Sequence, residues 1–491
     1  MIKLFCTAIL AFFVTGFYGC TNSGNTGSLF TLLPSSQTGI DFANNISYTE
    51  EFNPYTFRNF YNGGGVAVGD INNDGLPDIF FCSNQHSNKL YLNKGNFVFE
   101  DITRKAGIGS DSVWSTGVTM ADVNGDGLLD IYVCKSGNLG GRERSNALYI
   151  NNGNLTFTDE AKKYGLDNRG LSTHAVFFDY DLDGDLDCYL LNNSIRSVGN
   201  YEVMKDERTV MDSLGGNKLY RNDDGHFVDV TQKAGIYSSI IGFGLGVTIA
   251  DINNDGWPDM YVSNDFFERD YLYINKHDGT FEECLERYMN EISMSSMGAD
   301  IADINNDGNP EIFVTDMLPE DNARIKTKTT FDDWNKYKMD VKQGYYRQFT
   351  RNVLQLNRGI VNVARDSSSA HPYFSEISRY AGVSATDWSW GALITDLDND
   401  GHKDIFVANG INKDITDQDY FQYTASRDVI RHKILDGQKN VMTQLIDLIP
   451  SHAIANYAFS NNGNLTFTNK AKEWGLAQPG FSNGAAYADL D

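Results

Sequence analysis

Acidic residues recur in this chain at a spacing that suits a metal ion bound through oxygen. Six nine-residue segments fit the pattern Asp-x-(Asp/Asn)-x-Asp-Gly-x-x-(Asp/Glu). Each brings side-chain oxygens from positions one, three, five and nine around one point, and position seven can add a backbone carbonyl. Six or seven oxygen ligands are what Ca²⁺ takes in proteins. We therefore predict about six Ca²⁺ sites in these acidic loops. The predicted ligands are Asp70, Asn72, Asp74 and Asp78; Asp122, Asn124, Asp126 and Asp130; Asp179, Asp181, Asp183 and Asp187; Asp251, Asn253, Asp255 and Asp259; Asp303, Asn305, Asp307 and Glu311; and Asp396, Asp398, Asp400 and Asp404.

Other interpretations of the acidic loops can be weighed from the sequence. An EF-hand shares the first half of the spacing, but it needs a bidentate Glu at position twelve, where all six segments have an apolar residue. Mg²⁺ is disfavoured because it demands tight octahedral geometry and keeps its waters. Ion-free turns rich in Asp and Asn would explain a single copy. Turn chemistry needs no acid at position nine, however, and six copies have one.

The acidic loops differ in charge. Loops three and six carry four carboxylates each, because Asp181 and Asp398 stand where the other loops have Asn. We expect these two loops to bind Ca²⁺ most tightly and Glu311 to make loop five the least regular.

The segments around the loops repeat as well, and they predict the elements that position the acids. An apolar run that begins with Gly precedes each loop, except that His174 replaces this Gly in unit three, and a second apolar run follows. Such runs, rich in β-branched and aromatic residues, predict strands buried on both faces. Two more short strands complete each unit. The loops start 52, 57, 72, 52, 93 and 93 residues apart, the last interval leading to a seventh start at Asp489.

Four short antiparallel strands in a unit of about 50 residues predict the blade of a β-propeller. We therefore predict an all-β, seven-bladed β-propeller of four-stranded antiparallel blades over residues 29–491, with the last blade truncated in this chain. Residues 30–40 resemble a fourth strand with its trailing Gly. We expect this N-terminal strand to close the ring by completing blade seven.

The loops and the segments before them resemble a known repeat. Phe243–Gly246, Trp388–Ala392 and Phe481–Ala485, together with the loops, are similar to the FG-GAP, or VCBS, repeats of integrin α-chain heads and of the cartilage acidic protein family. The pattern covers about residues 60–491. The resemblance implies a seven-bladed propeller with Ca²⁺ held between the first and second strand of a blade. In this family the propeller is usually a recognition or adhesion platform, and many bacterial members are exported lipoproteins.

The N-terminus predicts export. Lys3 precedes an apolar run from Leu4 to Phe17, which is typical of a signal peptide at 1–19. A small residue directly before Cys20 resembles a lipoprotein signal, in which Cys20 becomes the lipidated first residue and 20–28 form a polar tether. An ordinary secretory signal is the alternative. We expect a protein of the bacterial cell envelope, lipid-anchored, most simply in the outer membrane, and either periplasmic or surface-exposed.

The amino-acid composition and net charge exclude some classes of protein and of binding partner. The chain has 65 Asp and Glu against 40 Lys and Arg, a formal charge of −25, and it is 13% aromatic. The aromatic content argues against disorder, and the acidity argues against nucleic acid, whose affinity comes mainly from Lys and Arg on phosphates. The widely spaced cysteines Cys82, Cys134, Cys188 and Cys284 indicate buried free thiols.

Three long inserts, at about 193–216, 317–351 and 411–455, all follow a second strand and so share the face opposite the acidic loops. We predict helical inserts on one face that bind a glycan or an envelope or extracellular protein, with the membrane reached through the lipid anchor only. Inserts that merely plug the channel or cover a rim are the alternative.

No catalytic motif stands out. HExxH and phosphate-binding glycine loops are absent from the sequence, so we predict a non-enzymatic recognition or adhesion platform and name no catalytic residue. A Ca²⁺-dependent polysaccharide-degrading enzyme and a scaffold subunit of an envelope complex are the alternatives. His174 is the one unusual titratable residue, and we expect a structural role for it.

Overall fold

The computed structural model describes residues 28–109, 113–137, 144–194, 207–329, 334–361 and 371–490. These residues form six four-stranded antiparallel sheets, the blades of a β-propeller. The predicted signal peptide, Cys20 and the tether as far as residue 27 lie outside the described residues, so export and lipidation stay predictions.

Each blade runs in chain order from an inner strand at the ring axis to an outer strand at the rim. Blades one to three are built from β1 (Val66–Gly69), β2 (Asp78–Phe81), β3 (Lys89–Asn93) and β4 (Phe99–Asp101); β5 (Ser115–Ala121), β6 (Asp130–Lys135), β7 (Ala147–Asn151) and β8 (Phe157–Asp159); and β9 (Ser172–Phe178), β10 (Asp187–Asn192), β11 (Lys218–Asn222) and β12 (Phe227–Asp229). Blades four to six are built from β13 (Gly244–Ala250), β14 (Asp259–Asn264), β15 (Tyr271–Asn275) and β16 (Phe281–Glu283); β18 (Ala299–Ala302), β19 (Glu311–Val314), β21 (Val353–Val361) and β22 (His371–Glu376); and β23 (Ser389–Thr395), β24 (Asp404–Asn409), β26 (Tyr457–Asn461) and β27 (Phe467–Asn469). Two short pairs lie outside the blades, β17 (Ile292–Ser293) with β20 (Gln348–Phe349) and β25 (Ile454–Ala455) with β28 (Pro479–Gly480).

The acidic loops connect the first and second strands of every blade, as the sequence predicts. All six second strands begin at the position-nine acid, and most of their residues are fully buried between neighbouring sheets. The six loops therefore share one end of the ring, here called the loop face. The segments that follow the second strands leave from the opposite end, here called the insert face.

The predicted count of seven blades is wrong for the described residues, which form six. Residues 481–490 carry no strand, and the expected N-terminal strand is instead an extended segment followed by the short helix α1 (Ser35–Thr38). These two segments have no middle strands between them in the described part of the chain. Without partner strands on both sides, their backbones cannot complete a four-stranded ladder.

The two terminal segments nevertheless fill the space between blades six and one. The amide of Phe30 donates to the carbonyl of Trp474 at 2.8 Å, and Asn93 Nδ2 donates to the carbonyl of Leu490 at 3.2 Å. Phe30 packs against blade six, whereas Ile40, Phe42 and Leu490 pack against blade one. Between blades six and one, the described residues form contacts rather than a sheet.

A repeated backbone contact joins neighbouring outer strands. After five of the six outer strands, and once after the N-terminal segment, the chain makes a left-handed Gly. Its Cα approaches the carbonyl of a Phe in the next outer strand, or of Phe30 in the N-terminal segment, so closely that a Cβ would stand 2.4–3.5 Å from the oxygen. A side chain at these positions would clash or strain the backbone. The Gly residues and their Phe partners are Gly107 with Phe157, Gly165 with Phe227, Gly235 with Phe281, Gly382 with Phe467, Gly475 with Phe30, and Gly39 with Phe99.

The helices are short. Four follow outer strands, α2 (Ala161–Tyr164), α3 (Leu285–Tyr288), α6 (Ser378–Ala381) and α9 (Ala471–Trp474). The inserts hold α4 (Asn322–Lys328), α5 (Trp334–Lys342), α7 (Arg427–Leu435) and α8 (Val441–Asp447), a 3₁₀ turn (Glu207–Thr209) and a π turn (Tyr420–Thr424), and another 3₁₀ turn (Arg58–Tyr61) precedes blade one. None of the helices in the described ranges is long and apolar enough to cross a membrane.

An aromatic plug closes the axial channel at the insert face. Phe57 and Phe60, in the segment before blade one, pack with Trp114, Met297 and Trp388, which stand at or just before inner strands of three different blades. Phe60 is fully buried, and its ring lies 5.2 Å from that of Trp114. The plug thus comes mainly from this N-terminal segment, and Ile411, Met317 and Ile415, at the starts of two inserts, pack against it.

Candidate metal loops

The acidic loops share one hydrogen-bonded skeleton. In loop one, the Gly75 amide donates to Asp70 Oδ2 at 2.7 Å, and the Leu76 amide donates to Asp74 Oδ1 at 2.9 Å. The same bonds recur in all six loops, between 2.7 and 3.0 Å for both positions. Positions one and five are therefore fixed by the backbone before any ion binds, with their carboxylates held inside the turn.

The position-nine acid has a structural role that the sequence analysis missed. Asp78 accepts the Ile71 amide on Oδ2 at 2.9 Å and the Asn93 amide on Oδ1 at 2.7 Å, and its side chain is fully buried. Equivalent bonds form in the other loops. An acid at this position thus joins the loop to the third strand even without an ion, so its recurrence alone does not prove a metal site.

Burial raises the pKa of every position-nine acid. The pKa rises to about 6 for Asp78, Asp130 and Asp404, to about 7 for Asp187 and Asp259, and to about 8 for Glu311. The two backbone donors lower each pKa, but the loss of water and the nearby loop carboxylates outweigh them. A raised pKa means that the charged form of each buried carboxylate is disfavoured, because no positive charge lies nearby. A bound cation would supply that charge.

Position three divides the loops into two classes. In the Asn-containing loops the amide nitrogen donates to the position-five carboxylate, for example Asn72 Nδ2 to Asp74 Oδ2 at 2.9 Å and Asn253 Nδ2 to Asp255 Oδ2 at 2.8 Å. Loops three and six have a carboxylate there and no such donor. Oδ1 of Asp181 and Oδ1 of Asp398 are buried without a hydrogen-bond partner, and the pKa of both residues is raised by burial and by neighbouring carboxylates.

These two loops fit a divalent cation best. One carboxylate oxygen from each of Asp179, Asp181 and Asp187 lies within 4.8 Å of the others, and loop six does the same with Asp396, Asp398 and Asp404. Hard oxygen donors with uncompensated negative charge suit Ca²⁺. The described residues thus hold Asp-rich clusters in the predicted loops. The individual ligands, including Glu311 as a less regular fifth set, stay predictions, as does the number of ions.

An asparagine at the end of the third strand, which the sequence analysis does not single out, links loops one to five to the next blade. Asn151 Nδ2, at the end of β7, donates to the carbonyl of Ile71 in loop one at 2.8 Å. The same bond joins the later blades and, through Asn93, Leu490. The only sequence signal is Asn recurring at the end of each third strand. Loops one to five are thereby each bonded to their own blade and to the next one.

His174 packs against the inner strand of the neighbouring blade. Gly117 lies so close that a Cβ there would stand 2.7 Å from His174 Nδ1. Burial lowers the pKa of His174 to about 4, so the ring is neutral near pH 7. The thiols of Cys82, Cys134, Cys188 and Cys284 are buried and unpaired, as predicted.

Comparisons with known proteins give the loops a family context. A sequence model described as an FG-GAP-like repeat matches residues 70–133, 209–262 and 251–314. Cartilage acidic protein 1 of Xenopus tropicalis is 28% identical over 248 residues, which are 49% of this chain and 35% of that protein. Integrin alpha-3 of Mus musculus is 32% identical over 114 residues, 21% of this chain and 11% of that protein.

The matched regions are partial on both sides. The chain spans about a third of the length of the Xenopus protein and less of the integrin. Among solved structures, an Agrocybe aegerita lectin described as recognising non-reducing terminal N-acetylglucosamine aligns with a TM-score of 0.40 and 14% identity, covering 84% of this chain and 83% of that one.

Proposed function

Because the chain is a propeller with FG-GAP-like repeats, homologous to cartilage acidic protein 1 and integrin alpha-3, we propose that it is a Ca²⁺-binding recognition or adhesion platform without enzymatic activity. We further propose that it is exported, anchored to the bacterial envelope through Cys20, and that its insert face binds a glycan or an envelope or extracellular protein.

The observation that supports this proposal is that the insert face is held rigid by buried charge. Arg324 of α4 reaches two segments at once, donating from Nη2 to Asp387 at 2.8 Å and to Asp414 at 3.2 Å. Lys328 of the same helix contacts Asp414 at 3.0 Å and also pairs with Asp417. Asp414 is 2% exposed, and hydrogen bonds from His452, Arg324 and Lys328 hold its pKa below its usual range although burial alone would raise it.

A third segment joins the same surface. The Glu50 carboxylate accepts the Thr443 amide at 2.8 Å at the start of α8, and the Tyr55 hydroxyl lies 2.7 Å from that of Tyr420. The inserts are thus fastened to each other and to the segment that carries the plug. Binding residues favour loops held on a rigid scaffold, because little order has to be imposed on binding.

Aromatic side chains stand exposed on this rigid surface. Trp334 of α5 is 64% exposed and stacks on Tyr337 with the rings 5.4 Å apart, and Tyr423 of the third insert is 69% exposed. Exposed aromatic rings provide large contact area at low conformational cost. Such rings on a fixed face are what a recognition surface requires.

In this proposal, bound Ca²⁺ stabilises the folded propeller. The loop carboxylates would hold the ions, and the bound charge would relieve the repulsion between acids that the backbone has already brought together. The ions sit at the loop face, away from the proposed ligand, so they act through stability of the blades rather than by contact.

A binding screen against glycans and envelope proteins, run with Ca²⁺ and with EDTA, tests the proposal. We expect saturable binding in Ca²⁺ that weakens in EDTA and that falls in the Trp334→Ala and Tyr423→Ala variants. Leu182→Asn, on the loop face, serves as the control and should bind normally. A screen in which no bound glycan or protein responds to either insert-face variant, or turnover of a glycan during the assay, would contradict it. Membrane fractionation tests the anchor, since Cys20→Ala should move the protein to the soluble fraction.

A further inference from the structure

A small pocket lies on the loop face between blades three and four, away from the insert face. Its volume is about 270 Å³, which suits a single small ring rather than a long chain. Five of its lining residues carry the inference: Tyr180 and Asp181 of loop three, Arg221 of β11, Trp257 of loop four and His277 of the β15–β16 turn. We call this site the loop-face pocket.

The lining residues depart from the repeat. Tyr180 stands at loop position two, where the other five loops have Ile, Val or Leu. Arg221 stands at the fourth position of a third strand, where four of the other five blades have Leu or Ile. Trp257 stands at position seven, where no other loop has a tryptophan. Tyr180 is buried in the core between blades three and four, which accounts for its size. Core packing does not account for Arg221 and Trp257, which meet in this pocket.

The indole of Trp257 is held in one orientation. It stacks on the imidazole of His277 with the ring centroids 4.7 Å apart and the planes 17° from parallel. His277 Nε2 is in turn 2.9 Å from Asp255 Oδ2. A ring fixed in this way loses little freedom when a ligand packs on it.

The charges around the indole are mixed. Arg221 pairs with Asp223 through Nε at 2.7 Å and Nη2 at 3.1 Å, so its guanidinium is already partly neutralised. Lys233 adds a second cation, while Asp181 and Asp278 add carboxylates. The two cations and the two carboxylates balance, so the lining favours no strongly charged ligand of either sign. They suit hydroxyl groups, which donate and accept in equal measure.

We propose that the loop-face pocket binds the pyranose ring of a neutral sugar. One face of a pyranose is a patch of C–H groups, which packs on the face of an aromatic ring. The ring edge is lined by hydroxyls, which meet the Arg221 and Lys233 donors and the Asp278 acceptor. This site is separate from the insert face and does not depend on the ligand proposed there.

Titration of the full chain with methyl glycosides of glucose, galactose, mannose and N-acetylglucosamine, in millimolar Ca²⁺, tests this inference. We expect at least one glycoside to bind saturably. Trp257→Leu and Arg221→Ile install residues that other blades carry at these positions, so both variants should fold, and each should weaken binding about tenfold or more. Trp334→Ala, on the insert face, is the matched control and should leave this binding unchanged.

Three results would overturn the inference. One is that no glycoside of the panel binds, and another is that Trp257→Leu binds as well as the unmodified protein. The third is that glucuronic acid binds better than glucose, which would assign the pocket to anions. Loss of binding in Trp334→Ala but not in Trp257→Leu would place sugar recognition on the insert face alone, which separates this inference from the proposed function.

Discussion

Position four of each acidic loop lies in the left-handed region of backbone space. Asn occupies it in four loops and Gly in one, with φ between 57° and 70°, whereas loop three has Leu182 at φ 55°. Asn tolerates this conformation because its short polar side chain can bond locally, but Leu gains nothing there. Leu182 is also half exposed, so it contributes little to the core.

Leu182→Asn should therefore stabilise the protein, by about 0.5–1 kcal/mol, because it relieves the strain at this one residue. The midpoint of urea unfolding, measured in Ca²⁺ and in EDTA, checks this. Leu182→Ala keeps the left-handed strain and should not give the gain. An unfolding midpoint in Leu182→Asn at or below that of Leu182→Ala would contradict the explanation.

Replacing the position-three carboxylates of loops three and six should raise stability without Ca²⁺ and reduce the stabilisation that Ca²⁺ gives. Asp181→Asn together with Asp398→Asn supplies the amide donor that the other loops use, and it removes two buried oxygens that have no partner. In EDTA the double variant should be more stable, by about 1–3 kcal/mol. In saturating Ca²⁺ its melting temperature should rise less than that of the unmodified protein, because two strong ligands are gone.

Scanning calorimetry with and without Ca²⁺ measures both effects. Asn72→Asp, which turns loop one into a four-carboxylate loop, is the reverse control and should destabilise in EDTA. A double variant that is less stable than the unmodified protein in EDTA would show that these carboxylates are not under repulsion.

At the scale of elements, the sequence predicts what is periodic and local. Alternation of apolar runs, Gly and acidic turns places the four strands of each blade correctly, because each strand is defined by residues next to each other in the chain. The Asn bond between Asn151 and Ile71 spans 80 residues, so no local pattern shows it. The aromatic plug likewise assembles from Phe60, Trp114 and Trp388, which meet only once the ring has closed.

The structure also limits two predictions at this scale. The sequence predicts that the acid at position nine binds metal, but two backbone donors already bond to it in each blade. The seventh blade was predicted from residues that resemble an outer strand and an inner strand. Two segments that each resemble one strand do not form a sheet by themselves, because the middle strands that would hydrogen-bond to both are missing from the described residues.

The Asn bond between blades should carry measurable stability. Asn151→Ala leaves the buried carbonyl of Ile71 without its side-chain donor, at a cost of about 1–3 kcal/mol. Amide hydrogen exchange should increase in loop one, which belongs to the neighbouring blade, as well as around β7. Asn152→Ala is the matched control, since Asn152 is exposed in the adjacent hairpin and should change stability by no more than about 0.5 kcal/mol. Exchange that rises only within blade two would contradict a link between blades.

Across the whole molecule, charge and metal are connected. The predicted ligand positions hold 20 of the 65 acidic side chains, so much of the net charge of −25 is concentrated on one face of the ring. Self-repulsion of this kind destabilises a compact state. Ca²⁺ binding would offset it where it is strongest.

Adding Ca²⁺ should therefore raise the melting temperature, with half of the rise reached at ~10⁻⁴ to 10⁻³ M, the affinity range of extracellular modules. EDTA should reverse the rise. Mg²⁺ at equal concentration is the control and should act mainly as salt, with a smaller effect. A melting temperature unchanged by millimolar Ca²⁺ would contradict the metal assignment of the loops.

The contact closure between blades six and one has a mechanical consequence. Phe30 and Leu490 meet the ring through single hydrogen bonds and side-chain packing, whereas strands within a blade are held by ladders. A pulling force applied near residue 28 would load this seam first, and the bond from Phe30 to Trp474 would be sheared before any ladder. The propeller should then open into a curved strip of intact blades, which single-molecule force spectroscopy would record as a small early extension ahead of the larger unfolding steps.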